Sequence, residues 1–267
     1  MAISIQRVMH VNVNCSDLER SLAFYRDVVG LVPISHTNPL PQDGAGFGMP
    51  GRVQWDAYIL HDARGFDGPG LDLLEWQQPA PCGRPAFETN HLGFFRICLQ
   101  VPNIDAVYQR AVSAGVACVS PPVTVDPESA MVVRVFLCRD PDGTAVEFVE
   151  EASVPQSQLS NVNVNCSNLE RSVDWYERVL GLEVRGGSRS GPVKGDALGL
   201  AGTIEWNASS LWPPGQDAFA IDLPEWNTPA PTGKPPASAN QLGLYRMAFM
   251  VEDIEASYRE LRNQGVD

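Results

Sequence analysis

Near the start of the chain Val11 and Val13 alternate with the polar residues His10, Asn12 and Asn14, the two-residue period of a half-buried β-strand. The period then changes. Leu18, Leu22, Tyr25 and Val29 recur at helical spacing, Ser16-Asp-Leu-Glu19 before them has the form of a capping box, and Gly30 ends the run. Apolar-rich stretches at 53–60 and 71–76 predict strands, and Pro79-Ala-Pro-Cys-Gly-Arg-Pro85 predicts a connector. The pattern then restarts with a strand over 96–101 and a helix over 104–114 stopped by Gly115. A strand over 132–138, the turn Asp140-Pro-Asp-Gly143 and a strand over 145–149 follow.

The same pattern is then repeated. His10-Val-Asn-Val-Asn-Cys-Ser-Asp-Leu-Glu-Arg-Ser21 returns 151 residues later as Asn161-Val-Asn-Val-Asn-Cys-Ser-Asn-Leu-Glu-Arg-Ser172 (161 − 10 = 151). Leu71-Asp-Leu-Leu-Glu-Trp76 returns as Ile221-Asp-Leu-Pro-Glu-Trp226, and Phe95-Arg-Ile97 as Tyr245-Arg-Met247. A repeat this long predicts two copies of one fold. Each copy holds two strand–helix–strands modules, so the chain holds four. They run to about Gln77, to Glu150, from Leu159 to Asn227, and from Leu244 onward. The division expected is a domain over 1–150, a linker over 151–158 and a second domain over 159–267. The fourth module lacks the counterpart of 118–150 and is expected to be incomplete; truncation is the simpler explanation, and strands supplied by a partner the other.

At 267 residues there is room for two cores, and 44% hydrophobic with 19% charged residues is ordinary for a soluble globular protein. The net charge of −13 argues against nucleic acid and anionic membranes as partners. No stretch is long and apolar enough to span a bilayer, and the first residues lack a signal-peptide layout, which predicts a cytoplasmic protein. The six cysteines show no metal-binding or redox spacing and are expected to be free thiols.

Strand parity selects the residues able to carry chemistry. With Val11 and Val13 turned to the helices, His10, Asn12 and Asn14 share the opposite face. By the same rule Asp72, Arg96 and Glu147 each point away from their helices. The repeat supplies an internal control, since His10 becomes Asn161 while Asp72 and Arg96 persist as Asp222 and Arg246.

The long motif from His10 to Leu31, Val101-Pro-Asn-Ile-Asp105 with its amphipathic helix, and Asp140-Pro-Asp-Gly-Thr-Ala-Val-Glu147 together resemble the vicinal oxygen chelate superfamily. That family includes glyoxalase I, methylmalonyl-CoA epimerase, extradiol dioxygenases and bleomycin resistance proteins. The resemblance covers nearly the whole chain and implies an α+β fold: tandem βαβββ modules paired into cup-shaped mixed sheets in two glyoxalase-like domains. It implies a divalent metal held by the first and last strands of each module. Carried over, the ligands are His10 and Glu147 with Asp72 as a third, and Fe, Mn, Ni, Co or Zn as the cation. Where a histidine is expected in module two the chain has Arg96, which cannot ligate a cation. Two accounts of Arg96 stand: it anchors an anionic substrate, or it forms an ion pair with Asp72 in a site without metal. Glu147 is alternatively a general base.

The resemblance implies an enzyme acting on a small molecule (isomerase, lyase or dioxygenase) with its active site in the N-terminal copy. The alternative is a metal-free protein that sequesters an aromatic or drug-like metabolite, and a homodimer is compatible with either. His36, His61 and His91 read as loop or surface histidines, and the Glu75-Trp76 repeat reads as a structural bracket. The glycine-rich loop from Asn38 to Gly51, carrying Phe47, is a candidate lid over the cup. Trp55 and Trp206 are equivalent strand residues whose direction parity leaves open.

Overall fold

The structure, a computed structural model, describes residues 2–125, 133–189 and 191–266. The alternating segment forms β1 (Ile5–Cys15), with Val11 and Val13 buried on one side. α1 (Leu18–Ala23) follows and widens into a π-helical turn, Phe24–Val29, closed by Gly30 at φ 92°. The capping residue is Asp17 rather than Ser16: its carboxylate accepts the Arg20 amide at 2.9 Å. Ser16 is used elsewhere, donating its amide and hydroxyl to Asp142 in the turn of module two. Module one continues through β2 (Val32–Thr37), β3 (Gln42–Asp43), a 3-10 turn at Gly44–Phe47, β4 (Arg52–His61) and β5 (Gly70–Gln78). Module two is β6 (Gly93–Val101), α2 (Ile104–Ser113), β7 (Val123–Val125), β8 (Val133–Arg139) and β9 (Ala145–Glu150). Residue 132, expected at the start of β8, lies outside the described residues. Module three is β10 (Gln158–Asn165), α3 (Leu169–Leu180), β11 (Glu183–Arg189), β12 (Val193–Lys194), β13 (Thr203–Trp212) and β14 (Ala220–Thr228). Module four contributes β15 (Gly243–Val251) and α4 (Ile254–Asn263).

The strands form two mixed sheets, and their membership crosses the repeat boundary. One sheet runs β15-β1-β5-β4-β2, with β3 added at β4. The other runs β11-β13-β14-β10-β6-β9-β8-β7, with β12 added at β13. Thus β1 pairs antiparallel with β15, and β10 pairs antiparallel with β6. Module one joins module four, and module two joins module three. The sequence reading had each copy closing on itself. What the structure shows instead follows from the connections: β9 ends at Glu150 and β10 starts at Gln158, a short link that folds β10 back beside β6.

The proline-rich connectors lock the exchange. The Cys82 amide donates to Asn240 O at 2.9 Å and Leu242 N to Cys82 O at 2.9 Å, and the repeat-related bonds, Thr232 N to Asn90 O and Leu92 N to Thr232 O, measure 3.0 and 2.8 Å. This reciprocity defines a local two-fold relation between the copies. Each first strand grips the opposite connector: Asn14 Nδ2 donates to Ala239 O and Gln241 O, and Asn165 Nδ2 to Thr89 O and His91 O. Two glycines make room for the crossing. Gly93 and Gly243, at φ 94° and 98°, lie where a Cβ would meet Pro235 and Pro85 at about 3 Å.

The helix-facing sides of both sheets feed one continuous apolar core, containing Val11, Leu71, Ile97, Phe136, Phe148, Val162 and Ile221. The opposite face of each sheet is therefore free to form a cup. No helix of the described residues is long and apolar enough to cross a membrane.

Candidate functional site

The first cup takes its polar centre from three strands. Asn12 on β1 stands beside Asp72 on β5 in a parallel register, and β15 lies against the other edge of β1. Asp72 is the hub. Its Oδ2 accepts from Arg246 Nη2 at 3.1 Å and from Asn12 Nδ2 at 3.4 Å, and stands 3.7 Å from His10 Nε2. The last separation is a charge contact rather than a hydrogen bond. Burial lowers the His10 pKa; Asp72 opposes this, and the Arg246 charge lowers it further. The imidazole is therefore neutral at neutral pH. Two buried polar atoms of this cup, Arg246 Nη1 and Asn12 Oδ1, have no hydrogen-bond partner among the described residues.

An aromatic floor adjoins this centre. Trp76 donates its indole N–H to Asn14 Oδ1 at 3.2 Å. Phe47, from the glycine-rich loop, packs edge-on against Trp55 and Trp76 with ring centroids 5.1 and 5.3 Å away. The Arg246 guanidinium lies 5.0 Å from the Phe47 ring centroid. The loop thus covers the cup, as its composition suggested, and Trp55 belongs to the cup side of β4.

The second cup is built from the equivalent positions and is tied differently. Arg96 Nε lies 3.0 Å from Glu147 Oε2, a charge contact in which the N–H makes no hydrogen bond. The Cys98 thiol lies 3.1 Å from Glu147 Oε2 and 3.3 Å from Asn163 Oδ1. Asn161 Nδ2 and Ser210 Oγ both donate to Asp222, at 2.6 and 2.5 Å. Burial pushes Asp222 above the usual carboxylate range, and burial beside Glu147 pushes the Cys98 thiol well up, so this thiol is no nucleophile.

The residues assigned to one metal site are thus divided between two cups. His10 and Asp72 share the first, whereas Glu147 is in the second with Arg96. The expected Arg96–Asp72 pair is likewise replaced: Asp72 pairs with Arg246 from the other copy, and Arg96 with Glu147. The reason is the exchange of modules between sheets. Arg246 was legible as the repeat of Arg96, yet nothing in the local pattern placed it beside His10. As a metal site the first cup is a poor fit. Its described residues offer one nitrogen and one carboxylate, with a guanidinium on that same carboxylate opposing a cation, and among them no three His, Cys, Asp or Glu side chains are gathered.

The remaining expectations resolve simply. His36 contacts Asp56 at 2.6 Å and stacks on Tyr58, whereas His61, expected in a loop or at the surface, is buried at the end of β4 and bonds Gly65 O. Glu75 and Glu225 accept the Leu18 and Leu169 amides at the starts of α1 and α3, which accounts for their repetition. All six cysteines are free. An opening of about 670 Å³ between α3 and β13 is lined by Glu170, Asp174, Glu177 and Arg189 and by no residue of either polar centre.

A duplicated sheet-and-helix module whose sheets curl into cups with polar centres defines the vicinal oxygen chelate architecture. The model of the Glyoxalase/Bleomycin resistance protein/Dioxygenase superfamily matches residues 7–148 and 158–267, and the chain belongs to that superfamily. Mitochondrial methylmalonyl-CoA epimerase of Mus musculus is 30% identical over 100 residues, 38% of this chain and 48% of that protein, so the match spans about half the length of that relative. Glyoxalase I from Zea mays shares the fold, with a TM-score of 0.69 at 16% identity over 96% of this chain and 78% of that one. A putative dioxygenase from Bacillus subtilis gives 0.58 at 17% identity over 99% and 76%.

Proposed function

We propose that the first cup binds a small organic anion and catalyses proton transfer at a carbon next to its carbonyl or carboxylate group. The observation that carries this reading is Arg246 Nη1, a buried donor without a partner among the described residues, beside a neutral His10. A buried, unbonded guanidinium N–H is costly, and a ligand oxyanion would satisfy it. Arg246 is the anion anchor. His10, kept neutral by burial, is the base that receives the carbon-bound proton. Asp72 sits against both, orienting Arg246 and stabilising the imidazolium as it forms. Asn12 Oδ1 is free to accept a hydrogen bond from the ligand. The likeness to an epimerase, an enzyme that inverts a carbon centre, supports the same reaction class. Since His10 and Asp72 alone do not fit a resident divalent cation, no step is assigned to one.

The test is exchange of α-hydrogen for deuterium in a panel of 2-substituted malonates, malonate half-thioesters and 2-oxo acids, followed by NMR. His10→Asn, the residue of the second copy, is expected to slow exchange by about 100-fold, and Arg246→Gln to raise KM more than it lowers kcat. No exchange with any member, or unchanged exchange in His10→Asn, rejects the reading.

A second reading, sequestration of an aromatic metabolite, is favoured by the Phe47–Trp55–Trp76 cluster. It predicts stoichiometric binding that quenches tryptophan fluorescence, with no turnover and no response to chelators.

A further inference from the structure

Where the two connectors cross lies a pocket of about 170 Å³ that belongs to neither cup. Its charge is opposite to that of the molecule. In a chain of net charge −13, the pocket is lined by Arg84, Lys234 and His91, with Glu88 as its one acidic residue. Arg84 and Lys234 occupy the same position in the two connectors (84 + 150 = 234), so the local two-fold relation brings both cations to one opening. Thr144, at the end of the Asp140 turn, also lines it. That residue is 1% exposed, and its hydroxyl stands near the Asp140 carboxylate. The rim is braced by Arg139, which donates to Phe87 O at 2.7 Å and lies over the Phe87 ring, itself 68% exposed.

We propose that this pocket is a binding site for a phosphate-type dianion, either inorganic phosphate or the terminal phosphate of a small organic monoester. Two cations lining one opening suit a doubly charged oxyanion better than a carboxylate. The size admits one phosphate group, leaving any organic part of a monoester to lie outward on Phe87. Nothing in this assignment depends on the chemistry of the first cup.

Calorimetric titration of the whole chain with inorganic phosphate and with phenyl phosphate, at fixed ionic strength, tests it. Saturable one-to-one binding is expected, weakened about tenfold or more in the Arg84→Gln/Lys234→Gln double variant. Both substituted side chains are exposed, and an unchanged thermal melt verifies the fold of that variant. Phenyl phosphate binding more tightly than phosphate, with the difference lost in Phe87→Ser, identifies a monoester as the ligand; equal affinities identify phosphate itself. Absence of saturable binding by the wild-type chain overturns the proposal, as does equal affinity in the double variant. His10→Asn should bind phosphate normally, so failure here and failure of the cup's proton-transfer reading are separate results.

Discussion

The two cups occupy equivalent places in one repeated fold, yet their central carboxylates are partnered differently. In the second, Arg96 meets Glu147, the Cys98 thiol lies between Glu147 and Asn163, and Asp222 collects donors from Asn161 and Ser210. In the first, His10 replaces Asn161, Ile59 replaces Ser210, and Phe47 replaces Leu198. The substitutions remove donors to the central carboxylate and add a titratable group and an aromatic ring. Polar atoms that go unused by the fold remain on Arg246 and Asn12. Among the described residues, then, both cups keep a buried arginine N–H without a hydrogen bond, but only Arg96 has a carboxylate of its own module beside it, Glu147, whereas Arg246 meets Asp72 of another module.

The comparison is broken most sharply at the arginines. Arg96→Met leaves the Glu147 carboxylate buried beside Cys98 without its cation, and is expected to cost about 3 kcal/mol or more of stability. Arg246→Met removes a partly exposed group and should cost about 1 kcal/mol, while abolishing anion binding. Equal losses in parallel thermal and urea melts would erase the distinction between the two cups.

A smaller effect separates the cups by pH. The His10 pKa is lowered in the folded protein, so below the ordinary imidazole value of 6.5 the unfolded chain takes up the proton first. Stability contributed by neutral His10 is thus complete above that value and is lost as pH falls through the folded pKa. The slope for this one proton is at most about 1.4 kcal/mol per pH unit. Subtracting the pH–stability curve of His10→Asn from that of the wild type, both freed of metal by a chelator, should leave this component alone. A flat difference between pH 8 and 5 would mean that His10 is not desolvated.

The smallest expected effect is at the lid. Phe47→Leu, the residue of the second copy, removes the edge-on contacts with Trp55 and Trp76 and is expected to cost about 1 kcal/mol or less. Tryptophan emission should shift as the floor is uncovered. An unaltered spectrum would show that the ring does not rest on the floor in solution.

Much of this was legible in the residues. The alternation from His10 to Asn14 located the C-terminal half of β1 (Ile5–Cys15), the helical run ending at Gly30 gave its element nearly to the residue, and parity turned His10, Asp72, Arg96 and Glu147 to the cup faces. The cap was misread by one position, because Ser16 and Asp17 are both good cap formers and only the contact of Ser16 with Asp142 decides between them. The Glu75-Trp76 repeat was seen as structural, but its role as acceptor for the first amide of α1 needed the approach of β5 to the helix start.

Local pattern determined the modules, their number, their buried faces and the family, because side-chain periodicity depends only on near neighbours along the chain. Which module joins which was decided in three dimensions. Strand edges bond through backbone groups that every module shares, so nearly identical modules carry no local label for their partner. The short link from β9 to β10 and the crossing of the two connectors supply that label. They bring Arg246 to Asp72 and Arg96 to Glu147, and so decide which residues share a site.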